Sequence, residues 1–97
     1  MSSREWWKAP FGHIVRALIT LYRNEKSGKP PLSIGELIEK SGIPESTFHR
    51  SIKRALEEGG LVEYKILTKE RIIEVHLTPL GRELAEKLNE VYDKLKL

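Results

Sequence analysis

Residues 33 to 62, SIGELIEKSGIPESTFHRSIKRALEEGGLV, decide the fold of this chain. They predict a short helix, a tight turn, a second helix and the start of a strand. The first helix is expected over 33–41, because Ser33 and Glu36 stand at the spacing of a capping box. Gly42 suits the left-handed backbone position that commonly ends a helix. The stretch therefore predicts a helix-turn-helix.

The second helix is expected over 45–58, after Pro44, whose fixed φ suits a helix start. Its apolar residues recur at helical spacing and predict one buried stripe, formed by Phe48, Ile52, Ala55 and Leu56. The polar surface away from this stripe carries three cations, with two small hydroxyl residues near the N-terminus of the helix and a histidine on one flank. This polar surface is the predicted DNA-binding part of the helix and consists of Ser46, Thr47, His49, Arg50, Lys53 and Arg54.

A recognition helix places its N-terminal side chains against base edges and uses cations to hold phosphates. Ser46, Thr47 and Arg50 are therefore expected at base edges, and Lys53 and Arg54 at phosphates. The alternative for the same positions is an ordinary solvated Lys/Arg face. The helix-turn-helix spacing favours DNA contact.

The segment after this helix predicts a β-hairpin over 61–77. Two runs of alternating apolar residues, LVEYKIL and RIIEVHL, are separated by a short polar turn. Lys69 and Arg71 are expected at or beside the tip, where their side chains could reach DNA. The shortness of the turn favours phosphate contact over deep insertion into the minor groove. A solubilising turn with no such role is the alternative.

Two further helices complete the predicted fold. One is expected over 10–25, opening at Pro10 after an N-terminal arm over 1–9. The other is expected over 79–95, with Thr78 as its N-cap. This last helix carries a long stripe of apolar residues at steps of three and four, namely Leu80, Leu84, Leu88, Val91 and Leu95.

The apolar stripe of the last helix is longer than the core of so small a domain needs, which predicts a homodimer. The alternative is that the helix packs only on its own domain. Adjacent tryptophans near the N-terminus could cap the core, cover the partner subunit or belong to a flexible arm. The expected interface comprises Trp6, Trp7, Leu84, Leu88, Val91, Tyr92 and Leu95.

Three segments together resemble a winged-helix DNA-binding domain: SGIPESTFHRSIKRALEEGGLVEY, the hairpin, and LTPLGRELAEKL. The chain is similar to archaeal and bacterial transcription regulators of the MarR, ArsR and PadR kind. The resemblance implies a mainly α fold with a small β-hairpin (α+β) and double-stranded DNA as the partner. It also implies a dimer that reads a palindromic site. One departure is that RALEEGG has one residue more than many relatives before the strand.

Composition is consistent with this interpretation. The chain has 97 residues, which fits one domain, and a mild net charge of +3. It has no cysteine, which excludes disulfides and thiolate metal sites. No signal peptide or apolar run of membrane-spanning length is visible, so we expect a cytoplasmic, nucleoid-associated protein with no membrane partner. Abundant Lys and Glu, with no Gln or Cys, are typical of thermophiles and archaea.

The residues do not predict an enzyme. The three histidines, His13, His49 and His76, fall on different predicted elements, and Asp93 is the only aspartate. No metal-ligand motif and no Gly-rich phosphate loop are present. We expect no catalytic residue, metal or cofactor, although a His-only metal sensor at a dimer interface stays open, as does a small-molecule effector. Two other functions also stay open: a protein-interaction module and a non-specific chromatin-type DNA binder.

Overall fold

The computed structural model describes residues 3–67, 69 and 71–95, and of residues 3–10 only the backbone. Helix α1 spans Ser3–Lys26, strand β1 Leu32–Ser33 and helix α2 Ile34–Ser41. Helix α3, residues 45–58, consists of an α-helical turn Glu45–Thr47, a π-helical segment Phe48–Ile52 and an α-helical segment Lys53–Glu58. Strands β2 (Val62–Leu67) and β3 (Ile72–Leu77) precede helix α4, Pro79–Leu95. The prediction of a mainly helical α+β fold is confirmed.

The predicted hairpin is part of a three-stranded antiparallel sheet with the order β1-β3-β2. Within the hairpin, Val62 is paired with Leu77 and Ile66 with Ile73. The third strand pairs Leu32 with Val75 and was not predicted. A strand of two residues is too short to show the alternation by which strands are recognised in sequence.

Helix α1 begins earlier than predicted, and the expected arm over residues 1–9 is wrong from Ser3 onward. The expectation placed the helix start at Pro10, because proline lacks an N–H and favours the first helical turn. In the structure the helix continues through Pro10. No other helix breaker precedes Pro10 in SREWWKA, so one missing hydrogen bond does not end the helix. Side chains of residues 3–10, including Trp6 and Trp7, lie outside the described part.

The predicted signals at the ends of α2 are confirmed. The N–H of Glu36 donates to Ser33 Oγ at 3.1 Å, and the N–H of Ser33 donates to Glu36 Oε1 at 2.9 Å. Gly42 adopts a left-handed conformation with φ 76°, and its N–H donates to the Ile38 carbonyl. This capping places the buried Ile43 in the turn between α2 and α3.

The π-helical segment of α3 explains why three residues spaced by four are all fully buried. Phe48, Ile52 and Leu56 have no exposed surface, and the N–H of Lys53 donates to the Phe48 carbonyl five residues back. A straight α-helix would rotate Leu56 by about 80° from Phe48. One extra residue within a π turn reduces this angle to about 20°. The three side chains therefore share one face toward the core.

Helix α4 packs against the rest of the domain through small residues, because Gly81 and Ala85 are its buried positions. Its start is capped by Thr78, whose Oγ1 accepts from the N–H of Gly81 at 3.0 Å and donates to the Gly60 carbonyl. Polar pairs then join α4 to α1, with Arg82 Nε donating to Glu25 Oε1 at 2.7 Å and Arg82 Nη2 donating to Glu25 Oε2 at 2.8 Å. Close packing through small residues leaves the larger apolar side chains of α4 on other faces.

Candidate nucleic-acid interface

The first turn of α3 presents small hydroxyl residues at the surface. Pro44 occupies the N-cap position and makes no side-chain capping bond. Ser46 is exposed and Thr47 half-buried. The next residue, Phe48, is buried in the core and fixes the position of the helix. The structure therefore leaves the first turn of the helix accessible to a partner.

The cationic side chains of α3 divide between two grooves. Arg50 and Arg54 line a groove of about 520 Å³, the α1-side groove, with Phe11 and Ile14 of α1 and Leu84 of α4 among its walls. The hairpin of β2 and β3, residues 62–77, is called the wing below. A groove of about 300 Å³, the wing-side groove, lies between α3, the start of α2 and strand β3. Its lining residues are Ser33, Ile34, Gly35, His49, Lys53, Arg71, Ile72 and Ile73. The predicted polar surface is therefore wider than a single row of side chains.

In the α1-side groove, Arg54 Nε donates to Glu58 Oε2 at 2.8 Å, one helical turn further on. Both side chains are strongly exposed, so this pair contributes little to stability. An arginine held so weakly can exchange a carboxylate for a phosphate at small cost. The expected phosphate role of Arg54 is compatible with this geometry, and sequence reasoning missed its partner Glu58.

The wing-side groove brings together residues that sequence reasoning placed on separate elements. His49 and Lys53 come from α3, and Arg71 comes from the hairpin. The His49 ring packs edge-on against Phe48, with the ring centres 5.7 Å apart. The positive charges of Lys53 and Arg71 at one groove favour an anionic partner. Lys53 and Arg71 thus share one potential anion site at the junction between helix and wing.

A tyrosine of the hairpin, Tyr64, was not among the predicted site residues. Its hydroxyl donates to the Lys53 carbonyl at 2.8 Å, and the Lys53 ammonium lies 5.8 Å from the centre of its ring. Burial raises the pKa of Tyr64, and the negative charge of Glu57 adds to this, so the hydroxyl stays protonated as a donor. Sequence alone shows a tyrosine at an alternating strand position, without the contact across the domain.

The described part of the wing tip is cationic and apolar. Lys69 and Arg71 are exposed, as predicted for this turn. Arg71 has a left-handed backbone, φ 54°, and its N–H donates to the Leu67 carbonyl at 2.9 Å. Ile66, beyond Tyr64 on the same face of β2, is 66% exposed, because the tip extends past the core.

The predicted dimer residues on α4 fall into two groups. Leu84, Val91 and Leu95 are exposed, together with Leu80, which the stripe also contained. Leu88 packs against the core and Tyr92 is half-buried, so these two side chains are partly covered within the protomer. The predicted contacts of Trp6 and Trp7 lie outside the described side chains.

The histidines do not converge. His13 lies on α1 and His49 on α3, and the His76 ring nitrogen lies 3.0 Å from Glu74 Oε1 on β3. Within the described ranges, no group of three His, Cys, Asp or Glu side chains could hold a metal ion. None of the helices described there is both long and apolar enough to cross a membrane.

The fold is similar to several solved structures. AF1382 from Archaeoglobus fulgidus is 23% identical, with a TM-score of 0.74 over 89% of this chain and 90% of that one. MepR, a transcription regulator of the Staphylococcus aureus multidrug efflux pump MepA, is 19% identical (TM-score 0.70; 87% and 58% covered). A MarR-family transcriptional regulator from Silicibacter pomeroyi is 31% identical (TM-score 0.65; 88% and 55% covered).

No curated protein sequence matches the chain significantly. A family model does match, over residues 4–95, and it describes the ArnR1-like winged-helix domain. The match covers the helix-turn-helix, the hairpin and all of α4, which confirms the expected winged helix similar to MarR-like regulators. The chain belongs to the ArnR1-like winged-helix domain family.

Proposed function

We propose that this protein binds double-stranded DNA in a sequence-specific manner and regulates transcription as a homodimer at nucleoid DNA. The observation that carries the proposal is the exposed first turn of α3 beside the wing-side groove, where Lys53 and Arg71 stand together. The family and the likeness to MarR-family regulators support a role in DNA binding and transcription regulation.

The proposed DNA contacts divide by chemistry. Ser46, Thr47 and Arg50 read base edges in the major groove, where an arginine can donate two hydrogen bonds to a guanine. His49 is an additional candidate, given its exposed position on the same helix. The other cations hold the backbone phosphates and set the register of the protein; they are Lys53 and Arg54 on α3 and Lys69 and Arg71 on the wing.

The proposed dimer forms through α4. Leu80, Leu84, Val91 and Leu95 are 54%, 39%, 53% and 61% exposed, and Phe11 of α1 is 48% exposed. At 100° per residue the four α4 positions lie within about 60° of one another, so they form one continuous apolar row. Exposed apolar rows of this kind mark association surfaces. A two-fold dimer would present two α3 helices to half-sites about one helical turn apart.

The test is selection of bound sequences from a random duplex pool at about 0.15 M salt, near physiological ionic strength. Enrichment of an inverted repeat is the expected result and would identify the operator. Binding without enrichment would contradict sequence specificity and favour a non-specific chromatin-type binder. No binding to any duplex would contradict the DNA proposal and favour a protein-interaction module.

A further inference from the structure

Tyr64 makes two contacts with a single residue of α3. Its hydroxyl donates to the main-chain carbonyl of Lys53 at 2.8 Å, across eleven positions of sequence. Its ring also lies under the Lys53 ammonium, which is 5.8 Å from the ring centre. One side chain of the wing therefore contacts both the backbone and the charged end of the same lysine.

Lys53 stands where α3 changes its hydrogen-bonding pattern. Its N–H donates to the Phe48 carbonyl and closes the π-helical segment, and the α-helix resumes from Lys53 onward. The hydrogen-bonding pattern of the helix is less regular at this carbonyl, because a π turn directly precedes it. The hydroxyl of Tyr64 adds a fixed partner for this carbonyl. The hydrogen bond thus links the main chain of Lys53 directly to the wing.

The direction of the lysine side chain matters for the wing-side groove. Lys53 is half-buried, whereas Arg50 and Arg54 are exposed, and it lines the groove with His49 and Arg71. A free lysine loses much rotamer freedom when it binds a phosphate. An ammonium already held over an aromatic ring loses less, because its stem is ordered before binding.

We infer that Tyr64 is a positioning residue for DNA binding, which holds Lys53 at the junction of α3 and the wing so that its ammonium meets a backbone phosphate. This inference rests on the proposed DNA-binding function. Tyr64 itself contacts no DNA and acts through Lys53. A tyrosine hydroxyl is protonated near neutral pH, and burial raises the pKa of Tyr64, so the donor also stays available at more alkaline pH.

The experiment is a double-mutant cycle on duplex binding, with Tyr64→Phe, Lys53→Met and the double variant in the full chain. Tyr64→Phe keeps the ring and removes only the hydroxyl, and we expect it to weaken binding measurably and by at most about tenfold, because the lost intramolecular hydrogen bond sets the upper limit of the effect. In the Lys53→Met background the same change should have no further effect. Lys53→Met should also lower the slope of log affinity against log salt by about 0.9, as expected for one lost phosphate contact.

A matched control is available on α1. The ring of the buried Tyr22 has the Lys26 ammonium at 5.9 Å, the same pairing away from the wing-side groove. Tyr22→Phe should leave DNA affinity unchanged, and thermal unfolding of each variant confirms that it is folded at the temperature of the assay.

The outcomes separate the two proposals. If the wild-type protein binds no duplex, the proposed function fails, and the inference fails with it. If the wild type binds and Tyr64→Phe binds equally well, the inference alone is overturned. Equal losses from Tyr64→Phe with and without Lys53 would also overturn it, because Tyr64 would then act on the helix as a whole.

Discussion

Gly81 of α4 lies against the main chain of Leu61, with no room for a side chain between them. A β-carbon at position 81 would overlap the Leu61 carbonyl oxygen and lie 2.9 Å from the carbonyl carbon. That oxygen also accepts from the N–H of Thr78 at 3.1 Å, so it cannot move without breaking the start of α4. The glycine thus sets how closely α4 approaches the end of α3.

Gly81→Ala should therefore destabilise the domain by about 1–3 kcal/mol, the usual range for overpacking. The matched control is Gly35→Ala in α2, where the nearest heavy atom to a new β-carbon is Ser33 Oγ at 4.0 Å. The control should be neutral or gain up to about 1 kcal/mol through helix propensity. Urea denaturation of both variants measures these changes, and similar stabilities would contradict the assigned close approach.

The pair between Arg82 and Glu25 predicts a pH dependence of stability. The hydrogen bond from Arg82 lowers the pKa of Glu25 below its ordinary value of 4.5, although burial opposes the shift. A lowered pKa in the folded state means that the stabilisation is present above pH 4.5 and is lost as pH falls through the folded-state pKa. The two side chains are 45% and 42% exposed, so solvent screens the pair.

Glu25→Gln should accordingly cost less than about 1 kcal/mol at pH 7. The difference from wild type should disappear as the pH is lowered below the folded-state pKa of Glu25. It should also shrink at 1 M NaCl, where the Debye length is about 3 Å. Denaturation curves from pH 3 to 7 test the sign, and a loss that grows toward low pH would refute the assignment.

Val91→Glu should abolish the proposed dimer with little effect on the folded protomer. Val91 is in the middle of the exposed apolar row of α4, and a carboxylate there would be buried without a partner in the interface. Glu86→Lys serves as the control, because Glu86 is exposed on another face of the same helix. Sedimentation velocity should give a monomer for Val91→Glu only. A dimer that persists in this variant would rule out the row as its interface.

Arg50→Ala and Lys69→Ala should change different properties of DNA binding. The first should reduce sequence discrimination and the second should reduce affinity for all sequences. Loss of a base-reading arginine should reduce discrimination between a selected site and a scrambled one by about 1–3 kcal/mol. Loss of a wing lysine should weaken binding to both sequences equally and lower the salt slope by about 0.9. Titrations on both duplexes measure these effects. If Arg50→Ala weakened both sites to the same extent, its base-reading role would be wrong.

Local signals predicted the helix-turn-helix well, because the capping box of Ser33 and Glu36 and the left-handed Gly42 depend on only a few neighbouring residues. The packing of α4 was harder to predict. Its most regular apolar pattern is the leucine stripe, yet its buried positions are Gly81 and Ala85, and of the stripe only Leu88 packs against the core. Two small residues four positions apart on a helix also indicate close packing. The leucine stripe is the stronger pattern in the sequence, and the prediction for α4 rests on it alone.

Helical periodicity predicts which polar side chains of α3 lie outside the core, but it does not predict how these side chains are arranged. Helical geometry at 100° per residue assumes a regular α-helix, and nothing in FHRSI distinguishes a π turn from an α turn. The separation of Arg50 from Lys53 into two grooves depends on that turn. The contact from Tyr64 to Lys53 depends on the docking of the hairpin on α3, which no local pattern encodes.

The π-helical segment also makes α3 tolerant of a change in length. Without Ser51, the apolar residues would follow at intervals of three and four, the spacing of an ordinary amphipathic α-helix. Deletion of this residue should therefore convert the segment to α-helix and keep Phe48, Ile52 and Leu56 on one face. The π turn thus accommodates one residue more between Phe48 and Leu56 than an α-helix with the same buried face would hold. That extra residue changes which polar side chains of α3 reach a partner while the hydrophobic core stays the same.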